Sequence, residues 1–384
     1  MQQVLFRIPI KIPNLIPDGI PIYGFGTMLF LAFVLCTWLA GRRAAKQGVR
    51  KEIIQDLAFW VLIGGIVGAR LCSVVLEAAR IGRFDFWELF WQFFRIWDGG
   101  LILYGSVFGG LAGYVLGYLV VFRKYGVSTW QLADIIAPVV ALGLCLGRVG
   151  CLLNGCCYGG VATCPVCPGL HFPLSSPPRY ALVQEGYQTA AGFTIASPND
   201  EAPALAKVGA VEPGSPAAGA GLLTGDLIVK LRDFPQKGQE EKINTYNDFD
   251  NAVSRSPSET RGRNSLALTV KRGDREVDLP AFQPRTIGLH PTQLYESISM
   301  LLLFLLLLAY QPFRKHDGEL MALLMVCYGL HRSLNELLRD DARPVGFEKY
   351  ISLILIAAGL VLWFWLRRLP VPAKRSAAAA AGVA

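Results

Sequence analysis

Charge is what this chain has least of. Only 17% of its 384 residues are charged, while 53% are hydrophobic, a balance that excludes an ordinary soluble protein of this length. No cleavable signal peptide is expected from the opening residues. The stretch from Met1 to Pro21 is broken by Pro9, Pro13, Pro17 and Pro21 and lacks a basic start followed by a clean apolar middle. It reads as an external arm lying on the membrane. No nucleotide-binding loop, dinucleotide fingerprint or triad-like arrangement stands out, so neither a soluble organic cofactor nor a resident metal is assigned. The net charge of +8 sits largely in clusters beside apolar runs, which suits anionic lipid headgroups and does not call for nucleic acid.

Long apolar runs fill the rest. They fall near 22–40, 54–76, 100–121, 131–147, 293–310, 318–335 and 347–366, and several approach the roughly 20 residues needed to cross a bilayer. The expectation is an α-helical polytopic membrane protein of about seven transmembrane helices. Arg42, Arg43, Lys46, Arg50 and Lys51 follow the first run, Arg123 and Lys124 the third, Arg314 and Lys315 the fifth, and Arg367, Arg368, Lys374 and Arg375 the seventh. With alternating spans these clusters share one side, which the positive-inside rule makes cytoplasmic. The N-terminus then faces outward and the C-terminus inward. The aromatic stretch 84–97 reads as an interfacial amphipathic helix, and the Ala-rich tail 371–384 as disordered.

The composition shifts between about Gly192 and Pro284, where apolar runs shorten and Gly and Pro rise. Val211 to Lys230 reads as strand, turn, short helix, tight turn, strand, and Leu266, Leu268 and Val270 alternate with Ala267 and Thr269 as in a further strand. The run Pro213-Gly214-Ser215-Pro216-Ala217-Ala218, then Ala220-Gly221-Leu222 and Gly225-Asp226 resembles a bacterial PDZ domain. That resemblance implies a small inserted α+β domain that binds an extended peptide at a sheet edge, with the carboxylate loop around Gly192–Ile195. The organisation expected is 1–190 membrane domain, 191–285 extracytoplasmic PDZ-like insert, 286–370 membrane domain again, then the tail.

Four groups of residues carry chemistry. Gly147-Arg148-Val149-Gly150 through Asn154-Gly155 to Gly159 follows a long apolar run, and an arginine at a membrane boundary costs roughly 2.5–3.5 kcal/mol on insertion scales, so it calls for a partner. Tyr328, Arg332, Asn335, Glu336 and Arg339 share one helical face, where Arg332 and Glu336 can pair and the stripe can line a polar cavity. Trp97-Asp98-Gly99-Gly100-Leu101 leads to Tyr104, and Arg70 is a further charge in or near a span. His290-Pro291-Thr292-Gln293-Leu294-Tyr295-Glu296 opens the fifth run, and Glu296 inside it needs a cationic partner, one of the arginines.

Together with Tyr23-Gly24, these residues resemble the prolipoprotein diacylglyceryl transferase family over roughly 1–160 and 285–366. The resemblance implies a bacterial cytoplasmic-membrane enzyme that moves a diacylglyceryl group from phosphatidylglycerol to the lipobox cysteine thiol of a prolipoprotein precursor. The product is a thioether and glycerol phosphate leaves. It implies catalytic places for Tyr104, Arg148, Arg332 and Glu336, and substrate-binding places for Tyr23, Arg70, Arg148, Asn154, Tyr328 and Arg339. Arg148 and Arg332 would neutralise the anionic leaving group. The chain departs from the family pattern at Tyr104, where a histidine is common, and at Cys151 and Cys156, where asparagine and glutamate are usual. These departures leave a second reading open, a lipid-binding receptor or scaffold working through its PDZ domain.

Cys156, Cys157, Cys164 and Cys167, with His171 nearby, read first as structural disulfides, then as a zinc site, then as a redox centre. A thiol–disulfide enzyme on this membrane fold is thus a third reading. Cys36, Cys72, Cys145 and Cys327 read as packing residues within spans.

Overall fold

A computed structural model describes residues 4–9, 20–82, 85–95, 103–120, 122–163, 169–173, 176–189, 191–196, 205–233, 238–254, 265–339 and 348–370. Helices stand at all seven apolar runs: α1 Gly24–Lys46, α2 Lys51–Ile81, α4 Leu103–Val120, α5 Thr129–Asn154, α9 Thr292–Tyr310, α10 Glu319–Glu336 and α11 Glu348–Arg368. Short helices α3 Phe86–Phe94, α6 Pro177–Gln184, α7 Pro216–Gly219 and α8 Tyr246–Ser254 lie between them. Among the described residues five helices are long and apolar enough to cross a membrane, at Gly24–Lys46, Lys51–Arg80, Thr129–Asn154, Thr292–Phe313 and Tyr350–Arg368; the apolar part of α4, Gly105–Val120, is shorter. These lipid-type helices keep large apolar side chains outward, as at Phe30, Phe59, Phe108 and Leu302, which only a hydrocarbon solvent makes favourable.

Chain contacts divide the molecule into two units. One holds Met1–Ala32, Leu144–Leu302 and Tyr328–Ile354, the other Phe33–Gly143, Leu303–Cys327 and Leu355–Ala384.

In the second unit α2 and α4 touch backbone to backbone. A Cβ on Gly64 or Gly68 would collide with the carbonyl oxygens of Gly109 and Gly105, and a Cβ on Gly109 with that of Gly64. Glycines four apart on each helix allow this approach, so dispersion and weak backbone contacts hold the pair where lipid removes any hydrophobic drive. The same unit buries a polar network. Asp134 is fully buried and takes an ion pair from Arg314 at 2.9 Å, and its other oxygen accepts the backbone amides of Leu320 and Met321 in the first turn of α10. Arg43 donates to the Asp134 and Ile135 carbonyls and to Gln311. Arg43 and Arg314, expected among the basic clusters beside the apolar runs, are thus partnered inside the unit: Arg43 is buried on backbone carbonyls and Gln311, and Arg314 pairs with the Asp134 carboxylate. The aromatic stretch forms α3, whose first turn is capped by the Asp85 carboxylate accepting the Trp87 amide, with Trp87, Trp91 and Phe94 outward.

In the first unit the stretch read as an N-terminal arm forms paired strands, β1 Val4–Ile8 against β2 Ile20–Tyr23. The compositionally distinct block forms β3 Phe193–Ile195, β4 Val208–Val211, β5 Leu227–Arg232, β6 Glu240–Lys242, β7 Ala267–Arg272 and β8 Arg275–Asp278. β3 and β4 pair antiparallel, and the other four make an antiparallel sheet in the order β6-β5-β7-β8. Its core is its own, built on Phe193, Leu222, Ile228, Leu231, Phe249 and Leu268. A paired charge closes it: Arg272 forks onto both Asp226 oxygens at 2.7 and 2.8 Å.

Candidate functional site

The site is built from the ends of α5, α9 and α10, all within the first unit. α5 does not stop at residue 147 as the apolar run suggested. It continues through Asn154, so Arg148 and Cys151 project from one helix a turn apart. At its end Gly155 takes φ +76° and the amides of Gly155 and Cys156 return to the Cys151 carbonyl, a left-handed stop that turns the chain back. Gly159 is forced by contact: an added Cβ would lie 2.6 Å from the Leu338 oxygen and 2.7 Å from the His290 Cβ. Its amide donates to His290 and the Gly160 amide to Leu338. The signature segment is therefore stitched to the entry of α9 and the exit of α10.

Glu296 sits at the centre, with 1% of its side chain exposed. Arg148 Nη2 is 2.9 Å from one carboxylate oxygen and Arg332 Nη1 is 3.7 Å from the other. Arg332 Nη2 also lies 3.3 Å from Glu336, one turn further along α10, and Asn335 donates to Glu296 at 3.0 Å. The carboxylate is thus shared by two guanidiniums and held by an amide. Tyr328 stands where the charges of Glu296, Arg332, Arg148 and Arg339 act on it. Buried ions in this number persist only when each has an opposite neighbour. Arg148, Arg332, Glu296 and Glu336 bring two positive and two negative charges, and Arg339 adds a further positive one, so the group carries a net positive charge suited to one phosphodiester.

Of the residues singled out in the sequence, Arg148, Arg332, Glu336 and Tyr328 gather around Glu296. Arg339 pairs through its backbone with Gly159. Asn154 is the last residue of α5. Tyr23 ends β2, is 47% exposed, and its carbonyl accepts the Thr27 hydroxyl. Arg70 and Tyr104 belong to the second unit. Arg70 is buried and donates to the carbonyls of Gln92, Phe93 and Arg95, closing the C-terminal end of α3, a satisfaction of helix-end carbonyls that the sequence did not suggest. Tyr104 falls in the first turn of α4; its side chain lies outside the described residues, as do Trp97 to Leu101. The sequence reading missed His331. Its Nε2 is buried without a hydrogen-bond partner among the described residues, and its only signal was its place beside Arg332.

The cysteines arrange themselves otherwise than expected. Cys151, Cys156 and Cys157 bring their sulfurs within 4.8 Å of one another and are free thiols. Cys164 and Cys167 lie outside the described residues. His171 is engaged elsewhere, its Nδ1 2.8 Å from the Thr286 carbonyl. Cys151, read only as a departure from a motif, is a full member of the cluster. Arg148 Nη1 is 4.0 Å from its sulfur.

Beside the inserted block a cavity of about 190 Å³ is lined by Arg179, Gly192, Glu212, Ser215 and Arg285 among others. Gly192 takes φ +89°. Burial lowers the Arg179 guanidinium to about 10, and its Nη2 donates to the Thr189 carbonyl.

The family model described as prolipoprotein diacylglyceryl transferase matches residues 13–365. The chain is similar to a phosphatidylglycerol–prolipoprotein diacylglyceryl transferase of Rhodopirellula baltica, 28% identical over 385 residues, which is 91% of this chain and 73% of the relative. It is similar to one of Clostridium tetani, 23% identical over 90% of this chain and 93% of the relative. A shorter match to one of Chromohalobacter salexigens is 34% identical over 43% of this chain and 60% of the relative. With five apolar helices of membrane length, this is a multi-pass bacterial membrane protein, and the chain belongs to the prolipoprotein diacylglyceryl transferase family.

Proposed function

We propose that this protein transfers the diacylglyceryl group of phosphatidylglycerol to the lipobox cysteine of a prolipoprotein. The single observation that carries the residue assignment is the shared carboxylate: Arg148 and Arg332 flank the two oxygens of Glu296. In the reaction the thiol loses its proton, its sulfur attacks the glycerol carbon that bears the phosphate ester, an S–C bond forms, the C–O bond breaks, and glycerol phosphate departs with the electron pair. Negative charge on the departing phosphate grows along that path. Arg148 and Arg332 face it in a water-poor site, where preorganised cations stabilise developing charge far more than water does. Glu296 holds the two forks in place, so the phosphate meets them without a reorganisation cost. Glu336 positions Arg332. Tyr328, Arg339, Asn154 and Tyr23 orient lipid and peptide, and Tyr104 and Arg70 complete the assignment taken from the family resemblance.

The finer topology is part of this reading: seven crossings, the N-terminus outside and the C-terminus cytoplasmic, with membrane segments 1–190 and 286–370. The block 191–285 is read as an extracytoplasmic PDZ-like domain. Its separate core, the packing of Phe193 on β3 against Phe249 on α8 at 5.8 Å between ring centroids, and the positive-φ Gly192 support that reading. An extended peptide would add beside β3 and place its carboxylate near Gly192.

The test of the transferase reading is a mass-shift assay with phosphatidylglycerol and a lipobox peptide, together with rescue of a strain depleted of its own transferase. Wild type should add one diacylglyceryl mass and rescue growth, whereas Arg148→Ala and Arg332→Ala should do neither. Equal rescue by all three overturns the residue assignment. Lipid binding without any mass gain makes the protein a scaffold.

A further inference from the structure

We propose that Cys151, Cys156 and Cys157 form a binding site for a thiophilic divalent metal ion such as zinc, with its fourth position open to the thiol of the incoming peptide. The inference rests on the transferase reading for the identity of that thiol, not for the site itself.

Three sulfurs within 4.8 Å of one another fit the geometry of a bound zinc. With Zn–S bonds near 2.3 Å, tetrahedral ligands stand about 3.8 Å apart, a separation that falls inside that limit. The sulfurs are free and partly accessible, so an ion and one external ligand can reach them. Their backbone is fixed before any metal arrives. Gln293 donates its side-chain amide to the Cys156 carbonyl at 2.8 Å, and the Thr292 hydroxyl donates to the Cys157 carbonyl at 2.7 Å. Cys157 itself takes φ +60°, a left-handed conformation that a non-glycine residue adopts at a cost and that the surrounding contacts must impose. The chain tolerates that strain where it turns a third sulfur toward the other two.

The charges agree with an ion that lacks one ligand. Three thiolates and a divalent metal sum to one negative charge, and a fourth thiolate makes two. Arg148, paired with Glu296 and 4.0 Å from the Cys151 sulfur, places an N–H beside that sulfur, the kind of outer contact that tunes metal thiolates. A closed structural site would need a fourth protein ligand. Three protein ligands with one open position is the arrangement of zinc sites that bind substrate, and the partial exposure of the three cysteines leaves such a position reachable.

The chemistry then follows. The peptide thiol binds the metal and releases its proton to solvent, because a coordinated thiol is deprotonated. The bound sulfur keeps an electron pair, attacks the glycerol carbon, and leaves the metal as a thioether when the C–O bond to phosphate breaks. No electrons pass to or from another group. Arg148 touches both halves of this event, the sulfur cluster on one side and the phosphate-binding pair with Glu296 on the other.

The experiment uses the full chain, purified under reducing and oxygen-free conditions in nanodiscs containing phosphatidylglycerol, stripped with chelator and titrated with Co²⁺. One cobalt per chain with thiolate-to-cobalt absorption is expected. Cys156→Ser and Cys157→Ser should weaken binding by about tenfold or more, and Cys327→Ser should not. A lipobox peptide should perturb the cobalt spectrum, while the same peptide with serine in place of cysteine should leave it unchanged. Absence of stoichiometric cobalt in reduced wild type, or a disulfide among the three residues after anaerobic purification, overturns the site. Loss of binding in Cys164→Ser or Cys167→Ser makes the site closed and overturns the open position. Full thioether formation by metal-free enzyme overturns the metal's role and leaves the transferase reading intact. A peptide-responsive cobalt site with no diacylglyceryl mass gain sinks the transferase reading alone.

Discussion

Glu296 holds Arg148 at 2.9 Å from within the first unit's interior. Residues 148 positions apart in the chain meet there because α9 places a carboxylate level with the last turns of α5. Removing either partner leaves the other charge buried, which is more damaging than losing the contact itself. Glu296→Gln keeps the shape and the Asn335 contact but loses the charge that balances two arginines. Transferase turnover in the mass-shift assay should fall by about 100-fold or more, with the chain still inserted in the membrane. A variant with near wild-type turnover would remove Glu296 from the machinery.

The glycine contact between α2 and α4 gives a stability prediction independent of chemistry. Gly68→Leu or Gly109→Leu forces the helix backbones apart, since the added side chain meets main-chain atoms that cannot yield. Overpacking of this kind costs about 1–3 kcal/mol. The melting temperature in detergent should drop, and Gly126→Leu is not the proper comparison because its φ is +64°. Gly110→Ala is, because its nearest neighbours, Val61 Cγ1 and the Val61 oxygen, would stand at 3.5 and 3.6 Å, and it should melt close to wild type.

Asp134 makes a second stability test. Asp134→Ala leaves Arg314, only 10% exposed, with the longer 3.8 Å contact to Asp317 as its remaining ion pair among the described residues, and leaves the Leu320 and Met321 amides without the Asp134 oxygen that accepts them. Breaking a buried pair costs about 3–5 kcal/mol. Thermal unfolding should show a large loss, and Asp134→Asn a smaller one, since an amide oxygen can still cap α10.

The inserted block carries a pH-dependent cap. Thr245 and Asp248 form a reciprocal box at the start of α8: the Asp248 carboxylate accepts the Asn244 and Thr245 amides and the Thr245 hydroxyl accepts the Asp248 amide. The Thr245 amide first, then that of Asn244, holds the Asp248 carboxyl below its ordinary range. A depressed folded-state pKa means the contribution is complete above the unfolded value of about 3.9 and disappears as pH falls through the folded one. Amide exchange of α8 in the full chain should accelerate below about pH 4, and Asp248→Asn should flatten that dependence. An unchanged slope in the variant removes the cap from the account.

The PDZ-like reading predicts carboxylate recognition. A peptide ending in a free carboxylate should bind the full chain about tenfold more tightly than its C-terminally amidated form, the difference expected for a hydrogen bond to a charged group. Fluorescence anisotropy on nanodisc-embedded protein measures this, and equal affinities would leave the block as a spacer.

Much of this was readable along the chain. Apolar runs placed helices at all seven positions, because helix formation and lipid exposure both depend on local composition. The Arg332–Glu336 pair followed from a spacing of four. That Glu296 required a cation also followed, since an isolated carboxylate in an apolar run is too costly. Which cation met it did not, nor did the pairing of Asp134 with Arg314, 180 residues away, which gave one arginine of the basic clusters an interior partner. The membership of Cys151 in the cysteine cluster was hidden for a related reason. A Cys-x-x-Cys spacing drew attention to Cys164 and Cys167, whereas Cys151 reaches Cys156 and Cys157 only through the left-handed turns at Gly155 and Cys157.

The sequence alone determined that the chain must lie in lipid, that a polar block interrupts it, and that its few interior charges need partners, because burial costs and helical periods are set residue by residue. Tertiary structure alone decided which charges meet and where the three sulfurs converge. Those meetings depend on how distant helices end and pack, and no local run of residues encodes that distance.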